Sequence, residues 1–66
     1  MPEGYVEYDN IAEVQRESDK AILCVIDGNE LWIPKSQIHD DSEVYKRGTS
    51  GKLIISEWIA EQKELI

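Results

Sequence analysis

The run Ala21-Ile22-Leu23-Cys24-Val25-Ile26, followed at once by Asp27-Gly28, restricts the fold more than any other feature of this chain. Six consecutive apolar residues rich in β-branched side chains are too few for a typical buried helix. They fit a central strand covered on both faces. Asp-Gly tolerates the positive φ that a type I′ turn needs at both central positions, so the chain is expected to double back there. The return strand is Asn29 to Ile33, with Leu31 and Ile33 on one face and Trp32 on the other.

The flanking segments extend the same pattern. Pro34 has no N–H for a ladder and is expected to end the return strand. Lys35-Ser36-Gln37 reads as one tight turn of 3₁₀ type, after which Ile38 drops back onto the core. Upstream, residues 5–8 read as a short strand and Asp9-Asn10 as a turn or bulge. Residues 11–17, with Ile11 and Val14 apolar, read as a weaker strand, and Ser18-Asp19-Lys20 as a turn. Downstream, residues 39–43 form a polar loop. Residues 44–47 and 52–55 read as two strands around Gly48-Thr49-Ser50-Gly51. Ser56 suits a helix N-cap and Glu57 the first turn. The helix is expected from Glu57 to Leu65, too short to stand alone. It should dock by Trp58 and Ile59 on the open face of the sheet. The expectation is a mainly β (α+β) domain over residues 1–66. Its form would be a small SH3-like half-barrel of four or five antiparallel strands with one C-terminal helix.

Sixty-six residues give a marginal core, because a chain of this size buries only about 60% of its unfolded surface. One cysteine and one histidine supply neither an internal disulfide nor a metal-ligand set, so no cofactor or metal is expected. Extra stability must come from self-association or from tight packing of a monomer. No apolar run approaches the roughly 18 residues of a membrane span. Met1-Pro2-Glu3-Gly4 is acidic and no apolar run follows it, unlike a signal peptide. A soluble chain in the cytosol is expected.

The net charge is −7. Residues 1–30 hold eight acids against Arg16 and Lys20, a balance of −6, whereas residues 31–66 hold six acids and five bases. Duplex DNA, bound largely through counterion release to Lys and Arg, is therefore an unsuitable partner. The acidic half serves solubility, DNA mimicry or docking to a basic protein.

Gly48-Thr49-Ser50-Gly51-Lys52 is not a phosphate-binding loop of the NTPase kind, which needs four residues between its glycines and a helix after the Lys. Even so, Lys46, Arg47 and Lys52 are three of the seven basic residues. Backbone N–H groups of a Gly-rich turn can cradle an anion beside them. The alternative is a charged tip that keeps a sheet edge soluble. Lys35, Ser36 and Gln37 could clamp a ligand, with Trp32 or Tyr45 stacking on it. Alternatively, Ser36 caps its own turn, Lys35 pairs with a surface acid and Trp32 belongs to the core. His39 beside Asp40-Asp41 resembles a base oriented by a carboxylate, yet no nucleophile accompanies it. No residue is assigned to catalysis and no enzyme is expected. Cys24 sits in the most apolar run, where burial makes a thiol inert.

Lys20-Ala21-Ile22-Leu23, Trp32-Ile33-Pro34-Lys35-Ser36-Gln37-Ile38 and Trp58-Ile59-Ala60 together resemble a group of small phage and prophage proteins. The similarity covers residues 20–38 and 52–66. It implies a mobile-element accessory protein. Many such proteins are non-enzymatic inhibitors of host defence that block a protein or sequester a nucleotide signal. Two functions are therefore expected. In the first, symmetric assemblies of the chain sequester a small phosphorylated ligand through Trp32, Lys35, Ser36, Gln37, Tyr45, Lys46, Arg47 and Lys52. In the second, the chain is a protein-binding inhibitor or adaptor that uses its acidic surface or a strand edge. Binding of single-stranded nucleic acid across the barrel face is a third possibility.

Overall fold

Asp27 and Gly28 adopt φ of 52° and 82°, the left-handed pair that defines a type I′ turn. This turn closes a hairpin between β2 (Ala21–Ile26) and β3 (Asn29–Pro34), paired from Ile26↔Asn29 to Ala21↔Pro34. The structure, a computed structural model, describes residues 4–65. The charged N-terminal residue Glu3 and the segment Met1-Pro2, read above as unlike a signal peptide, lie outside them.

The second pairing joins the two ends of the described segment. β1 (Tyr5–Ile11) runs antiparallel to β4 (Gly51–Ser56), from Tyr5↔Ser56 to Ile11↔Gly51. The register shifts between Tyr8 and Ile11, where Asn10 takes a φ of 59°. The expected bulge at Asp9-Asn10 is therefore present, and it lets Ile11 turn into the core. The fold is a small mainly β one of four antiparallel strands in two two-stranded sheets, and no closed barrel forms among the described residues.

One core joins the two sheets. Ile22, Cys24, Ile26 and Ile33 of one hairpin meet Leu53 and Ile55 of β4, with Ile11, Val14, Val44, Ile59 and Ala60 completing it. Residues 38–44 run along the far edge of β4. His39 N–H donates to Ile54 C=O at 2.9 Å, and the N–H groups of Glu43 and Val44 donate to Lys52 C=O at 2.8 and 3.0 Å.

Five expectations are corrected. β2 is not covered on both faces: Ile22, Cys24 and Ile26 are buried, Ala21 and Leu23 are half-buried, and Val25 is exposed. A two-stranded sheet packed on one side has only one inner face, so a continuous apolar run must leave alternate residues outside. Residues 11–17 are not a strand. Ile11 ends β1, Val14 is buried in the core, and Glu17 makes an isolated bridge to Ile22.

Residues 44–47 are likewise not a strand. The Thr49 hydroxyl accepts from the N–H groups of Tyr45 and Lys46 at 3.1 and 3.2 Å and donates to Lys46 C=O at 2.6 Å. This side chain offers the backbone a turn in place of a ladder.

The helix α1 spans Glu57–Gln62 and ends before Leu65. Ser56 caps it as expected, its hydroxyl accepting from Ile59 N–H at 3.3 Å. Past its end, Leu65 N–H donates to Ala60 C=O at 2.8 Å and Glu64 N–H to Glu61 C=O at 3.0 Å. With Glu64 at a φ of 59°, these bonds form a Schellman cap. Ile59 and Ala60 face the core while Trp58 stays 46% exposed. Successive helical residues diverge by roughly 100°, so Trp58 cannot share a stripe centred between Ile59 and Ala60.

Candidate functional site

Pro34 is the last residue of β3, paired with Ala21. The ladder bonds of the hairpin fall on alternate residues, beginning at Ile26↔Asn29. Pro34 therefore turns its missing N–H away from β2 and forfeits no bond. Its φ of −62° leads into the 3₁₀ turn Lys35–Gln37. Lys35 N–H donates to Lys20 C=O at 2.8 Å, which continues the same ladder phase.

The Lys35 ammonium forms a salt bridge with the Glu17 carboxylate. The other oxygen of that carboxylate accepts from Arg47 N–H at 3.1 Å. Glu17 thus connects the turn after β3 to the loop before β4. The Lys35 hydrogen bond, helped by Arg47 N–H, holds the Glu17 carboxyl below the usual carboxylate range. Of the residues expected to bind a ligand, Lys35 and Arg47 are brought to one place, around an internal carboxylate.

Four further loop N–H groups already have partners inside the protein. Those of Tyr45 and Lys46 bond to Thr49 Oγ1. Gly48 N–H donates to Val14 C=O at 2.9 Å and Thr49 N–H to Lys46 C=O at 3.2 Å. A ligand at this loop would be met by side chains rather than by a backbone cradle. Lys46 Nζ lies 5.5 Å from the centroid of the exposed Tyr45 ring, a cation–π contact. Lys52 is half-buried, and its N–H donates to Glu43 Oε1 at 2.9 Å. Gln37 Oε1 accepts from the Ser56 hydroxyl at 2.6 Å, which ties the 3₁₀ turn to the cap of α1. Ser36 is exposed, and the turn has no side-chain cap.

Trp32 lies on the outer face of its hairpin, opposite Leu23 and 42% exposed. Strand alternation puts Ala21, Leu23 and Val25 of β2 on that face with Trp32 and Pro34 of β3, and Glu30 is its one charged member. Val25 is also 42% exposed. A continuous apolar sheet face of this kind, rimmed by polar residues, marks interaction sites on small proteins. Reading β2 as covered on both sides hid Leu23 and Val25. No local signal reveals them, because covering the second face of a hairpin takes another layer from elsewhere in the chain.

His39 Nδ1 accepts from Asp41 N–H at 3.0 Å, and its ring meets Tyr5 edge-on with centroids 4.5 Å apart. The Nδ1 acceptor role assigns the ring proton to Nε2. Asp41 Oδ2 stands 3.8 Å from the same nitrogen. Cys24 is buried, and desolvation pushes its thiol up to about 11. No group of three His, Cys, Asp or Glu side chains able to hold a metal forms among the described residues. Nor, among them, is any helix long and apolar enough to cross a membrane.

Comparison of the chain with family models, with curated proteins and with solved structures gives no match.

Proposed function

We propose that this chain is a non-catalytic binding module that docks a protein partner on the outer face of the β2–β3 hairpin. The observation behind this reading is the outer-face apolar row Ala21, Leu23, Val25, Trp32 and Pro34, with Val25 and Trp32 exposed and the others half-buried, in a chain that is 32% charged. Trp32 is the anchor of this reading, since a Trp at the centre of an apolar patch contributes disproportionately to binding. Asp19, Asp27 and Glu30 flank the row in sequence, within an acidic half, so the fitting partner carries an apolar centre and a basic rim. An inhibitor of a host protein, as the resemblance to phage accessory proteins implies, is the form we propose for this activity, with the host cytosol as its place. The same proposal keeps the SH3-like half-barrel as the architecture, supported by the single core shared between the two sheets.

The test is affinity capture from host lysate with three versions of the full chain: wild type, Trp32→Ser and Trp58→Ser. A partner held by wild type and Trp58→Ser but lost by Trp32→Ser is the expected result. A partner retained equally by all three would remove the hairpin face from consideration.

A second reading rests on the Glu17 carboxylate. It is held by Lys35 Nζ and Arg47 N–H, as the oxygens of a small phosphorylated ligand would be. In this reading a small phosphorylated ligand displaces Glu17 from the Lys35 ammonium and from Arg47 N–H. Local cations dominate for a small anion, because screening is felt beyond about 8 Å in physiological salt. Calorimetry with cyclic and linear nucleotides, on wild type and on Glu17→Gln, separates this from docking. Binding tightened by Glu17→Gln supports it, and no heat with either protein ends it. Single-stranded nucleic acid has no observation in its favour beyond the exposed aromatic rings.

A further inference from the structure

We infer that β3 is a self-pairing edge, and that two copies of the chain join there across a two-fold axis centred on Leu31. This goes beyond partner docking, since it concerns the edge of the hairpin and requires only the chain itself.

The ladder phase fixes which groups are free. β2 bonds to β3 through Asn29, Leu31 and Ile33, because the pair Ile26↔Asn29 closes the turn and antiparallel bonds then fall on alternate pairs. Two other bonds confirm the phase. Lys35 N–H reaches Lys20 C=O at 2.8 Å, and Leu23 N–H points away from β3 to Arg16 C=O at 3.1 Å. The N–H and C=O groups of Glu30 and Trp32 therefore point outward. Among the described residues they have no backbone partner.

Three two-fold registers within β3 could use the Glu30 groups. Centring on Glu30 sets two carboxylates directly opposite each other, which is unfavourable. Centring on Trp32 sets Glu30 opposite Pro34 of the other copy, and the missing proline N–H leaves a Glu30 carbonyl unbonded in each chain. Centring on Leu31 sets Glu30 of each copy opposite Trp32 of the other. Each of those two pairs exchanges both N–H···O bonds, so every outward donor is satisfied. Pro34 stops the ladder just beyond.

The other open edge does not offer this. Glu57 N–H bonds Gly4 C=O at 3.1 Å, so Gly4, Val6 and Tyr8 face β4 and Tyr5, Glu7 and Asp9 point outward. The two-fold register that uses all three places Glu7 against Glu7, and the bulge at Asn10 bends that edge away.

Pairing at β3 converts two hairpins into one four-stranded sheet, in the order β2-β3-β3-β2. Its outer face carries both Trp32 rings. A six-residue edge gives a small interface of the transient class. With −7 on each copy, salt strengthens the dimer by screening the repulsion.

The test is sedimentation equilibrium of the full chain over a concentration series, at about 0.1 M and about 1 M salt. A monomer–dimer equilibrium that tightens with salt is expected. Glu30→Pro removes an outward N–H without touching the β2 ladder, and should leave a folded monomer. Glu30→Arg removes the charge facing the partner and sets a guanidinium near the opposing Trp32, and should tighten the dimer several-fold. Should Glu30→Pro fail to fold, amide exchange of the wild-type chain decides. Protection of the Glu30 and Trp32 N–H groups must rise with protein concentration. A monomer at every concentration, species larger than a dimer, a folded Glu30→Pro that dimerises like wild type, or unprotected Glu30 and Trp32 amides would each overturn the inference.

Discussion

The Ser42 hydroxyl accepts a hydrogen bond from Ile54 N–H at 3.1 Å, across a separation of 12 residues. It also donates to Val44 C=O at 2.8 Å, with Lys52 C=O further off at 3.3 Å. Ser42 is only 6% exposed, and it stands where a neighbouring strand would otherwise supply backbone partners to β4. One side chain thus substitutes for a missing stretch of ladder. Ser42→Ala would leave Ile54 N–H buried and unbonded, at a cost of about 1–3 kcal/mol. Urea unfolding should show a lower midpoint with an unchanged slope. A midpoint equal to wild type would mean that Ile54 finds another acceptor.

Glu64 occupies the left-handed position of the cap that ends α1, with a φ of 59°. A glycine adopts that conformation without the Cβ penalty. Glu64→Gly is expected to stabilise the fold by about 0.5–1 kcal/mol, the greater backbone freedom of glycine in the unfolded chain limiting the gain. Thermal melting checks the sign. A lower Tm would show that the Glu64 side chain contributes more than its backbone strain removes.

Tyr8 buries its hydroxyl without a hydrogen-bond partner among the described residues. Burial, and then the nearby negative charge of Asp27, push its pKa above the ordinary tyrosine value. Tyr8→Phe should therefore be neutral or slightly stabilising, because it removes a polar atom that makes no bond. A loss near 1 kcal/mol or more on chemical denaturation would reveal a partner for that hydroxyl.

The Glu17 carboxyl should titrate below the ordinary range in the folded chain, since the Lys35 hydrogen bond and Arg47 N–H favour its charged form. Its folded pKa is depressed, so its contribution to stability is present above the unfolded value and disappears as pH falls through the folded one. NMR titration should show the Glu17 side-chain carbon and the Arg47 amide moving together, with a midpoint below the ordinary carboxylate range. Lys35→Ala should bring that midpoint up. Independent midpoints for the two signals would dissolve the link between turn and loop.

Cys24 is 1% exposed and its thiol is pushed up to about 11 by desolvation. A thiol-specific reagent at mildly alkaline pH should label it only at the rate of unfolding, and immediately in denaturant. Rapid labelling of the native chain would contradict the packing of β2 against the core.

Local chemistry made much of this molecule legible. Asp27-Gly28 specified its turn, Ser56 its cap and Lys35–Gln37 its 3₁₀ turn, because each depends on a few adjacent residues. Residues 44–47 looked like a strand because β propensity cannot register a threonine hydroxyl three or four residues ahead that captures their N–H groups. The inward placement expected for Trp58 and the covered strand expected for Val25 both fail, because burial depends on how many layers pack together, which no local pattern contains. The convergence of Lys35 and Arg47 on Glu17 spans 18 and 30 residues. Nothing in the spacing of these residues signals it.

The partnership of β1 with β4 has a kinetic consequence. The hairpin β2–β3 closes over two residues and can form on the microsecond scale. By contrast, β1 must wait for a strand on the far side of residues 12–50, and closing so long a loop is entropically costly before any contact repays it. The transition state is therefore expected to hold the first hairpin while the second pairing is still incomplete. Core truncations such as Ile33→Val should slow folding, whereas Val6→Ala should act mainly by speeding unfolding.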